Sequence, residues 1–253
     1  MSFARLLRRK PSRPDPNAAI TRLFRNPPQL RALARLLAGR ERLRILVHAM
    51  ADGAEAVSLL VALDPAAWPV DLEIHGRELS AGYVEDAKTF AYSKLHMPRR
   101  PPLPFGAYLS RRLLGGWAVR SRWRSVFRYA EGDVLKPEPG LPRHGFDLVA
   151  CQNLLVNLPE EARGPAFANL VHCLASGGVL AVGGGPLGEI HRLAREHGLT
   201  PVLDDVEAIH EAWEVQRAFW SNPRRPYWAL EPFDPGQPDG PERYVTLFHK
   251  EAG

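Results

Sequence analysis

Polar side chains follow three of the first four strand-like runs of the chain, and hydrogen bonding to a ligand is the chemistry that they could perform. Glu78 comes just past the second of these runs, Asp133 follows the third, and Asn153 comes where the fourth must end. Open α/β sheets bind ligands in the crevice outside the carboxyl ends of their strands. A carboxylate there can accept both hydrogen bonds of a ribose diol, and another can accept from an adenine amine. Together the side chains favour a nucleoside-containing ligand.

Each carboxylate also has a purely structural interpretation, which the sequence leaves open. Acidic residues often begin helices because they interact favourably with the helix dipole, which would account for Glu78. Asp133 lies in a segment where an ordinary turn would also use a carboxylate. The loop after the first strand-like run has one glycine, Gly53, and so lacks the GxGxxG pattern that cradles a pyrophosphate. A ligand without phosphates is therefore favoured over a dinucleotide, which speaks against a dehydrogenase.

Alternating strand-like and helix-like runs must position these side chains. Such alternation predicts an α/β fold: a Rossmann-like, mostly parallel twisted sheet with helices on both faces. The N-terminal part predicts a helical approach that is broken at Pro27–Pro28, after which apolar residues recur at helical spacing as far as Gly39. The segments 206–220 and 243–251 both contain strand-like pieces. The predicted strands are 43–50, 70–76, 125–135, 146–153 and 177–185, and the predicted helices are 55–64, 80–95, 161–175 and 188–198.

The composition is that of a single large domain. The chain has 253 residues, of which 45% are apolar and 24% charged. We expect a flexible basic tail over 1–20 and one domain over 21–253, with a basic, proline- and arginine-rich insert at about 96–123. Cys151 and Cys173 form no CxxC pair, so neither a disulfide framework nor a metal site is predicted. No apolar run reaches the length of a signal peptide core or a membrane span, which predicts a cytoplasmic protein.

The charge of the chain is uneven. The net charge is +5, and residues 87–130 contain ten basic residues and no acidic one. This stretch could attract an acidic partner, or it could be an ordinary solvated surface. Nucleic acid binding would need a stacking platform or a known module, which the sequence lacks, so none is expected. The oligomeric state cannot be inferred from the sequence.

Five segments resemble, in the same order, motifs of one family. TRLFRNPPQLRAL, from Thr21, resembles TxFFRxPxxFxAL, and RILVHAMADGAEAVSLL resembles RIWSAGCSTGEEPYSLA. GWAVRSRWRSVFRYAEGDVLKP resembles GYxVRxxLRxxVxFxxxNLLDP, FDLVACQNLLVNL resembles FDLIFCRNVLIYF, and LASGGVLAVGG resembles LxPGGYLFLGH. The family is that of the CheR-like class I methyltransferases, which use S-adenosylmethionine to methylate glutamates of chemotaxis receptors.

The resemblance implies roles for individual residues. Thr21 and Arg25 would lie over the cofactor near its methionine end, and Glu55 would face the amino acid part from a first loop that includes Ala49 and Gly53. Glu78 stands where the family has an aspartate on the ribose, and Asp133 where it has an asparagine on the adenine. The other implied cofactor contacts are the backbone of Val134, Asn153 beside the sulfonium, and its neighbour Leu154. Arg25 and Asn157 are the implied catalytic residues.

Departures from the family pattern leave the activity open. Asp52 adds a charge to the first loop, Gln152 replaces an arginine, and Asn157 replaces the active-site tyrosine. We also expect the family's N-terminal helical domain to be absent. The leading hypothesis is an active S-adenosylmethionine-dependent methyltransferase whose acceptor is a protein carboxylate or a small molecule. Arg25 would hold an acidic acceptor. The alternative is a catalytically degenerate relative that acts as a binding or regulatory partner.

Overall fold

A computed structural model describes residues 21–251 apart from 69, 99–100, 102–103, 137–140, 143 and 221–231. The predicted tail over 1–20 lies outside these residues. Seven strands form one sheet in the spatial order β6-β2-β1-β7-β8-β10-β9. They are β1 (Arg42–His48), β2 (Asp71–Glu78), β6 (Phe127–Glu131), β7 (Phe146–Gln152), β8 (Leu174–Gly183), β9 (Leu199–Pro201) and β10 (Leu247–Lys250).

The strand order places a topological switch point at β1. β1 pairs in parallel with β2 on one side and with β7 on the other, so the chain turns first one way along the sheet and then the other. β6 and β8 extend the parallel part at either side, and only β10 runs antiparallel to its neighbours. The carboxyl ends of β2, β1 and β7 therefore meet at one edge, which is where such sheets bind ligands.

Helices cover both faces of the sheet, as predicted. Residues of β1 alternate between two buried clusters, because successive side chains of a strand point to opposite faces. One cluster includes residues of α1 (Pro27–Leu36), α2 (Ala54–Leu63), α3 (Ala81–Lys88) and α7 (Val206–Trp220), and the other includes residues of α5 (Glu160–Cys173) and α6 (Leu187–Glu196). The short helix α4 (Ser121–Arg124) precedes β6. The Rossmann-like α/β fold is confirmed.

Two predicted terminal elements were wrong in type or placement. The two prolines begin α1 instead of breaking a helix, because proline lacks an N–H that the first turn leaves unbonded, and Asn26 caps this turn through its side chain. The segment 206–220 is helical, not strand-like. Ile209 and Trp213, four residues apart, are both buried, so the apolar spacing that mattered was that of a helix.

A second, smaller sheet occupies the region predicted as a continuing helix and an irregular insert. α3 ends at Lys88, and three short strands follow: β3 (Ala91–Tyr92), β4 (Leu109–Arg111) and β5 (Trp117–Val119). They pair antiparallel in the order β3-β5-β4. Leu109 and Val119 face each other in this sheet and are buried, and this packing organises the segment in spite of its prolines.

Candidate functional site

The loop after β1 has the most unusual backbone at the site. Ala49 and Ala51 have φ angles of 55° and 48°, and Gly53, which caps α2, has a φ of 80°. Left-handed backbone at non-glycine residues costs about 1–3 kcal/mol and concentrates at ligand sites. A Cβ at Gly53 would lie 3.1 Å from the Tyr129 hydroxyl oxygen, so a larger side chain there would be both strained and crowded. The loop is thus held close to the carboxyl ends of the strands.

Glu78 is the last residue of β2 and is tied to this loop. Its Oε2 accepts a hydrogen bond from the backbone N–H of Ala51 (3.0 Å), and its Oε1 accepts from the N–H of Ser80 (3.1 Å). A carboxylate has about four acceptor positions, so two remain for a ligand. Glu78 precedes Ser80, the N-cap of α3, and no acidic residue lies in the first turn of that helix, so the helix-dipole interpretation of Glu78 does not hold. Its role on a ligand stays a prediction.

Asp133 and Val134 follow β6 in a turn. Asp133 accepts a hydrogen bond from the N–H of Leu135 (3.0 Å) and lies 3.2 Å from the ammonium of Lys136. The carbonyl of Val134 accepts from the side-chain amide of Asn169 (2.8 Å). The turn interpretation of Asp133 is confirmed, while its contact with an adenine stays a prediction.

Asn153 follows β7 and is held in place by β8. Its φ is 58°, and its backbone N–H donates to the carbonyl of Gly183 (2.7 Å). A Cβ at Gly184 would lie 2.4 Å from the Asn153 Oδ1, so only glycine allows this approach. Asn157 is exposed, and its side-chain amide donates back to the carbonyl of Asn153 (2.7 Å). Leu154 lies between them, at the start of a short helical turn.

Glu55 lies in the first turn of α2 with Arg25 near it. Burial raises the pKa of the Glu55 carboxyl to about 7, and the opposite charge of Arg25 partly offsets this rise. Arg25 directly follows Phe24, whose φ of 57° and whose N–H bond to the Ser58 hydroxyl (2.8 Å) fix the segment against α2. A buried carboxyl with a pKa near neutrality is suited to receive a cationic ligand group.

Asp52, the departure that adds a charge to the first loop, is bound within the protein. Its carboxylate accepts from the hydroxyl of Thr21 and from the N–H of Ala54. Its Oδ2 lies 2.8 Å from the His96 Nε2, and the Tyr92 hydroxyl donates to its carbonyl (3.3 Å). Asp52 therefore joins the N-terminal segment, the first loop and the small sheet. The sequence analysis missed His96, because no spacing rule connects residues 44 positions apart.

Gln152, which replaces the family's arginine, points toward α1 at the end of β7. Its side-chain amide lies 3.4 Å from the Oε1 of Gln29, whose own amide donates to the Thr246 hydroxyl (2.8 Å). The Gln152 Oε1 is buried without a hydrogen-bond partner among the described residues. This side chain thus contributes to a buried polar network beside the predicted site.

The side chains of Cys151 on β7, Glu55 on α2 and Glu78 on β2 are close enough for their charges to influence one another. Both Glu55 and Glu78 raise the pKa of the buried Cys151 thiol, after burial itself, which is the largest cause.

The sequence model of the CheR methyltransferase, SAM binding domain, matches residues 19–189, which is more than half of the chain. The chain belongs to this CheR family. The resemblance drawn from the five segments is therefore confirmed, and with it S-adenosylmethionine as the cofactor of the domain.

Two curated relatives and one solved structure illustrate the similarity. Chemotaxis protein methyltransferase 1 of Pseudomonas aeruginosa is 28% identical over 152 residues, covering 57% of this chain and 55% of the relative. The probable biofilm formation methyltransferase WspC of the same organism is 26% identical over 190 residues, covering 72% and 44%. The chain thus spans about half the length of these relatives. A SAM dependent methyltransferase from Aquifex aeolicus is 10% identical with a TM-score of 0.45, covering 71% of this chain and 83% of that one.

The residues of the CheR domain fit S-adenosylmethionine. Glu78 has two acceptor positions left for the ribose diol, and Glu55 is a buried carboxyl placed to receive the ammonium of the methionine part. Asp52, the charge that the first loop adds, is already hydrogen-bonded to Thr21 and His96 within the protein. The individual contacts of all the predicted site residues stay predictions.

Two further observations concern the described part of the chain. None of its helices is long and apolar enough to cross a membrane, and no group of three or more potential ligand side chains there could hold a metal ion. An open pocket of about 400 Å³ lies between α6 and the segment 238–242, lined among others by His191 and Arg195. None of the predicted cofactor residues lines this pocket, so it is separate from the candidate site.

Proposed function

We propose that this CheR domain is an active methyltransferase that transfers the methyl group of S-adenosylmethionine to a carboxylate of its acceptor. The observation that carries the proposal is the convergence of Glu78, Glu55 and Asn153 at the edge formed by β2, β1 and β7. These residues come from three separate segments, and each offers a group that the cofactor needs. The whole arrangement depends on the switch point in the strand order, where ligands of such sheets bind.

A bound S-adenosylmethionine supplies an electrophilic methyl group on a positively charged sulfur. The protein's part is to hold this methyl in line with the acceptor oxygen, which can contribute about 7–11 kcal/mol to lowering the barrier. Glu78 would hold the ribose, Glu55 the ammonium and Asp133 the adenine. Asn153 would lie beside the sulfur, with its backbone fixed by Gly183 and Gly184.

A carboxylate acceptor needs no general base, and neither His75 nor His48, the two histidines of the central strands, is suited to be one. The acceptor oxygen would form the new C–O bond while the C–S bond of the cofactor breaks, and the electron pair of the broken bond would stay on sulfur. Because the carboxylate is already ionised, no proton has to be removed from it. His75 is an unsuitable base, because burial lowers its pKa and it packs edge-on against Phe146 at 5.2 Å. His48 is buried within β1. Arg25, near Glu55, is the group that we expect to bind the acceptor carboxylate by a bidentate contact.

The chemical stability of the product tests the acceptor class. The protein is incubated with methyl-labelled S-adenosylmethionine and an extract of the source cells, and the labelled products are treated with mild base. A carboxyl methyl ester releases volatile labelled methanol, whereas a methylated amine or phenol retains its label. We expect base-labile label with the unmodified protein and with Glu85→Ala, a control at an exposed residue of α3, and none with Glu78→Ala. Label that resists base would contradict a carboxylate acceptor.

A catalytically degenerate relative is the second candidate, and Asn157 is the observation that favours it. Its side chain replaces the tyrosine implied by the resemblance, and it donates back to Asn153 instead of projecting away. This candidate predicts binding of S-adenosylhomocysteine without transfer of label to any acceptor in the extract. Label transfer that depends on Glu78 would exclude it.

A further inference from the structure

The hairpin that joins β4 and β5 exposes two leucines at its tip. The backbone N–H of Gly115 donates to the carbonyl of Arg112 (3.1 Å), and the N–H of Arg112 donates to Gly116 (3.2 Å), so the turn is closed and defined. Leu113 and Leu114 occupy its two central positions with side chains that are 106% and 97% exposed. Central turn positions are normally occupied by glycine, proline or small polar residues. These leucines contribute nothing to the core, so their apolar side chains require another explanation.

The exposed apolar surface extends beyond the turn itself. Leu95, in the helical turn that follows β3, is 65% exposed. Its neighbour Lys94 lies beside the hairpin, because a Cβ on Gly115 would be 3.6 Å from the Lys94 Cε. We call Lys94, Leu95 and the residues 111–114 the tip patch. It combines three exposed leucines with three cationic side chains.

The positive charge of the tip patch is not compensated locally. Residues 87–130 contain no acidic residue. Within the part of the chain that the structure describes, no carboxylate forms an ion pair with Lys94, Arg111 or Arg112. The guanidinium of Arg111 instead lies 5.3 Å from the ring centre of Trp117. An anionic partner would therefore gain the full attraction of these charges.

We propose that the tip patch docks this domain on an anionic lipid bilayer, with Leu113 and Leu114 inserted among the headgroups. Both leucines lie at the centre of a tight turn and are almost fully exposed, so they protrude from the hairpin. A bilayer accepts such a protrusion without a matching cavity. Arginine binds phosphate through paired hydrogen bonds, and long basic side chains reach the headgroups while their stems stay in apolar surroundings.

Docking by the tip patch would place the candidate site at the membrane surface. Leu95 is followed directly by His96, which bonds to Asp52 of the first loop and accepts at its carbonyl from Leu23 (2.9 Å). The tip patch and the first loop are thus joined by a short, bonded path. This docking does not depend on methyl transfer, and its test is separate from the test of the proposed function.

Vesicle flotation of the full chain tests this docking. The vesicles are phosphatidylcholine alone or phosphatidylcholine mixed with phosphatidylglycerol, at low and at physiological salt. We expect binding to the mixed vesicles, weaker binding as salt rises, and none to phosphatidylcholine alone. Leu113→Ser/Leu114→Ser should lower the partition coefficient about tenfold or more, and Arg112→Ser should lower it about fivefold.

Matched controls separate the tip from other features of the chain. Leu203→Ser changes an exposed leucine outside the tip patch, and Arg192→Ser changes an exposed arginine of α6, also outside the tip patch. Both variants should bind vesicles as the unmodified protein does. An unchanged circular dichroism spectrum and an unchanged midpoint of thermal unfolding show that each variant is folded. Undiminished binding of the leucine double variant would overturn the proposal and assign binding to another segment, such as the basic residues 1–20. Binding to an acidic peptide but not to mixed vesicles would also overturn it.

Discussion

Glu55 is the residue whose chemistry the structure defines most sharply. Its carboxyl has a pKa of about 7 because burial disfavours the charged form more than Arg25 favours it. In the free protein this carboxyl is therefore protonated below neutral pH. An ammonium group placed beside it would favour the charged form and lower the pKa. If Glu55 receives the ammonium, as we propose, binding of the cofactor's amino acid part is coupled to the loss of a proton.

We predict that S-adenosylhomocysteine binds more tightly as pH rises from about 6 to about 8, with up to about tenfold gain per unit below the pKa. Below pH 7 the carboxyl must release its proton before it can pair with the ammonium, and above pH 7 this requirement disappears. Calorimetric titration in buffers of different ionisation enthalpy measures the protons released.

Glu55→Gln should remove the proton release and flatten the pH dependence, while Glu85→Gln, at an exposed residue, should leave both unchanged. Binding to the unmodified protein without proton release near pH 6 would show that Glu55 does not face the ammonium.

At the scale of single residues, the sequence predicted best where one side chain directly ends a strand. Glu78 and Asn153 were placed at strand ends by pattern alone, and the structure puts them there. The surroundings of Asp52 could not be predicted, because they depend on Thr21 and His96, which are distant in sequence. A charge in a binding loop cannot be evaluated from sequence until the residues that compensate it are known.

Among the elements, the small sheet and the N-terminal segment are joined to the main sheet through Asp52. Its side chain accepts from the Thr21 hydroxyl and pairs with the His96 Nε2, and the Ser93 N–H donates to the His96 Nδ1 (3.1 Å). Because Nδ1 accepts this bond, Nε2 carries a hydrogen and donates to Asp52. Hydrogen bonds to charged groups contribute about 1.5–3 kcal/mol each when they are shielded from water.

We predict that Asp52→Ala lowers the free energy of unfolding by about 2–3 kcal/mol, because it leaves the Thr21, Ala54 and His96 donors without this acceptor. Denaturant unfolding measures the change. The control Asp71→Ala, at an exposed carboxylate paired only with Arg42, should change stability by less than about 0.5 kcal/mol.

A double-mutant cycle with His96→Ala should give a coupling of about 1 kcal/mol or more. Additive effects of the two substitutions would show that the pair does not join the small sheet to the loop.

The elements differ in how well the sequence predicted them. The buried strands β1, β7 and β8 are long apolar runs with clear bounds, so the pattern sufficed. β3, β4 and β5 have two or three residues each, which is too short for a periodic signal, and their pairing depends on contacts between distant segments. α7 contains residue types that are also common in strands, and only the burial of residues at helical spacing distinguished a helix from a strand there.

For the molecule as a whole, the alternation of strands and helices was sufficient to predict the architecture. Parallel strands need helical crossovers, and right-handed crossovers leave few arrangements for five such units. The order β6-β2-β1-β7-β8 brings the carboxyl ends of β6, β2 and β7 to one edge, and with them Asp133, Glu78 and Asn153, which are far apart in sequence. What the order alone could not predict is which acceptor the site receives, since this depends on surfaces built by irregular segments.

Calorimetric titration with S-adenosylhomocysteine, comparing the unmodified protein with Glu78→Ala and Glu85→Ala, tests the central claim most directly. Removal of Glu78 deletes two expected hydrogen bonds to a charged acceptor and should weaken binding about 100-fold. We predict micromolar binding to the unmodified protein and to Glu85→Ala, and binding about 100-fold weaker to Glu78→Ala. Failure of the unmodified protein to bind at millimolar ligand, or equal binding by all three proteins, would contradict the assignment of the cofactor site.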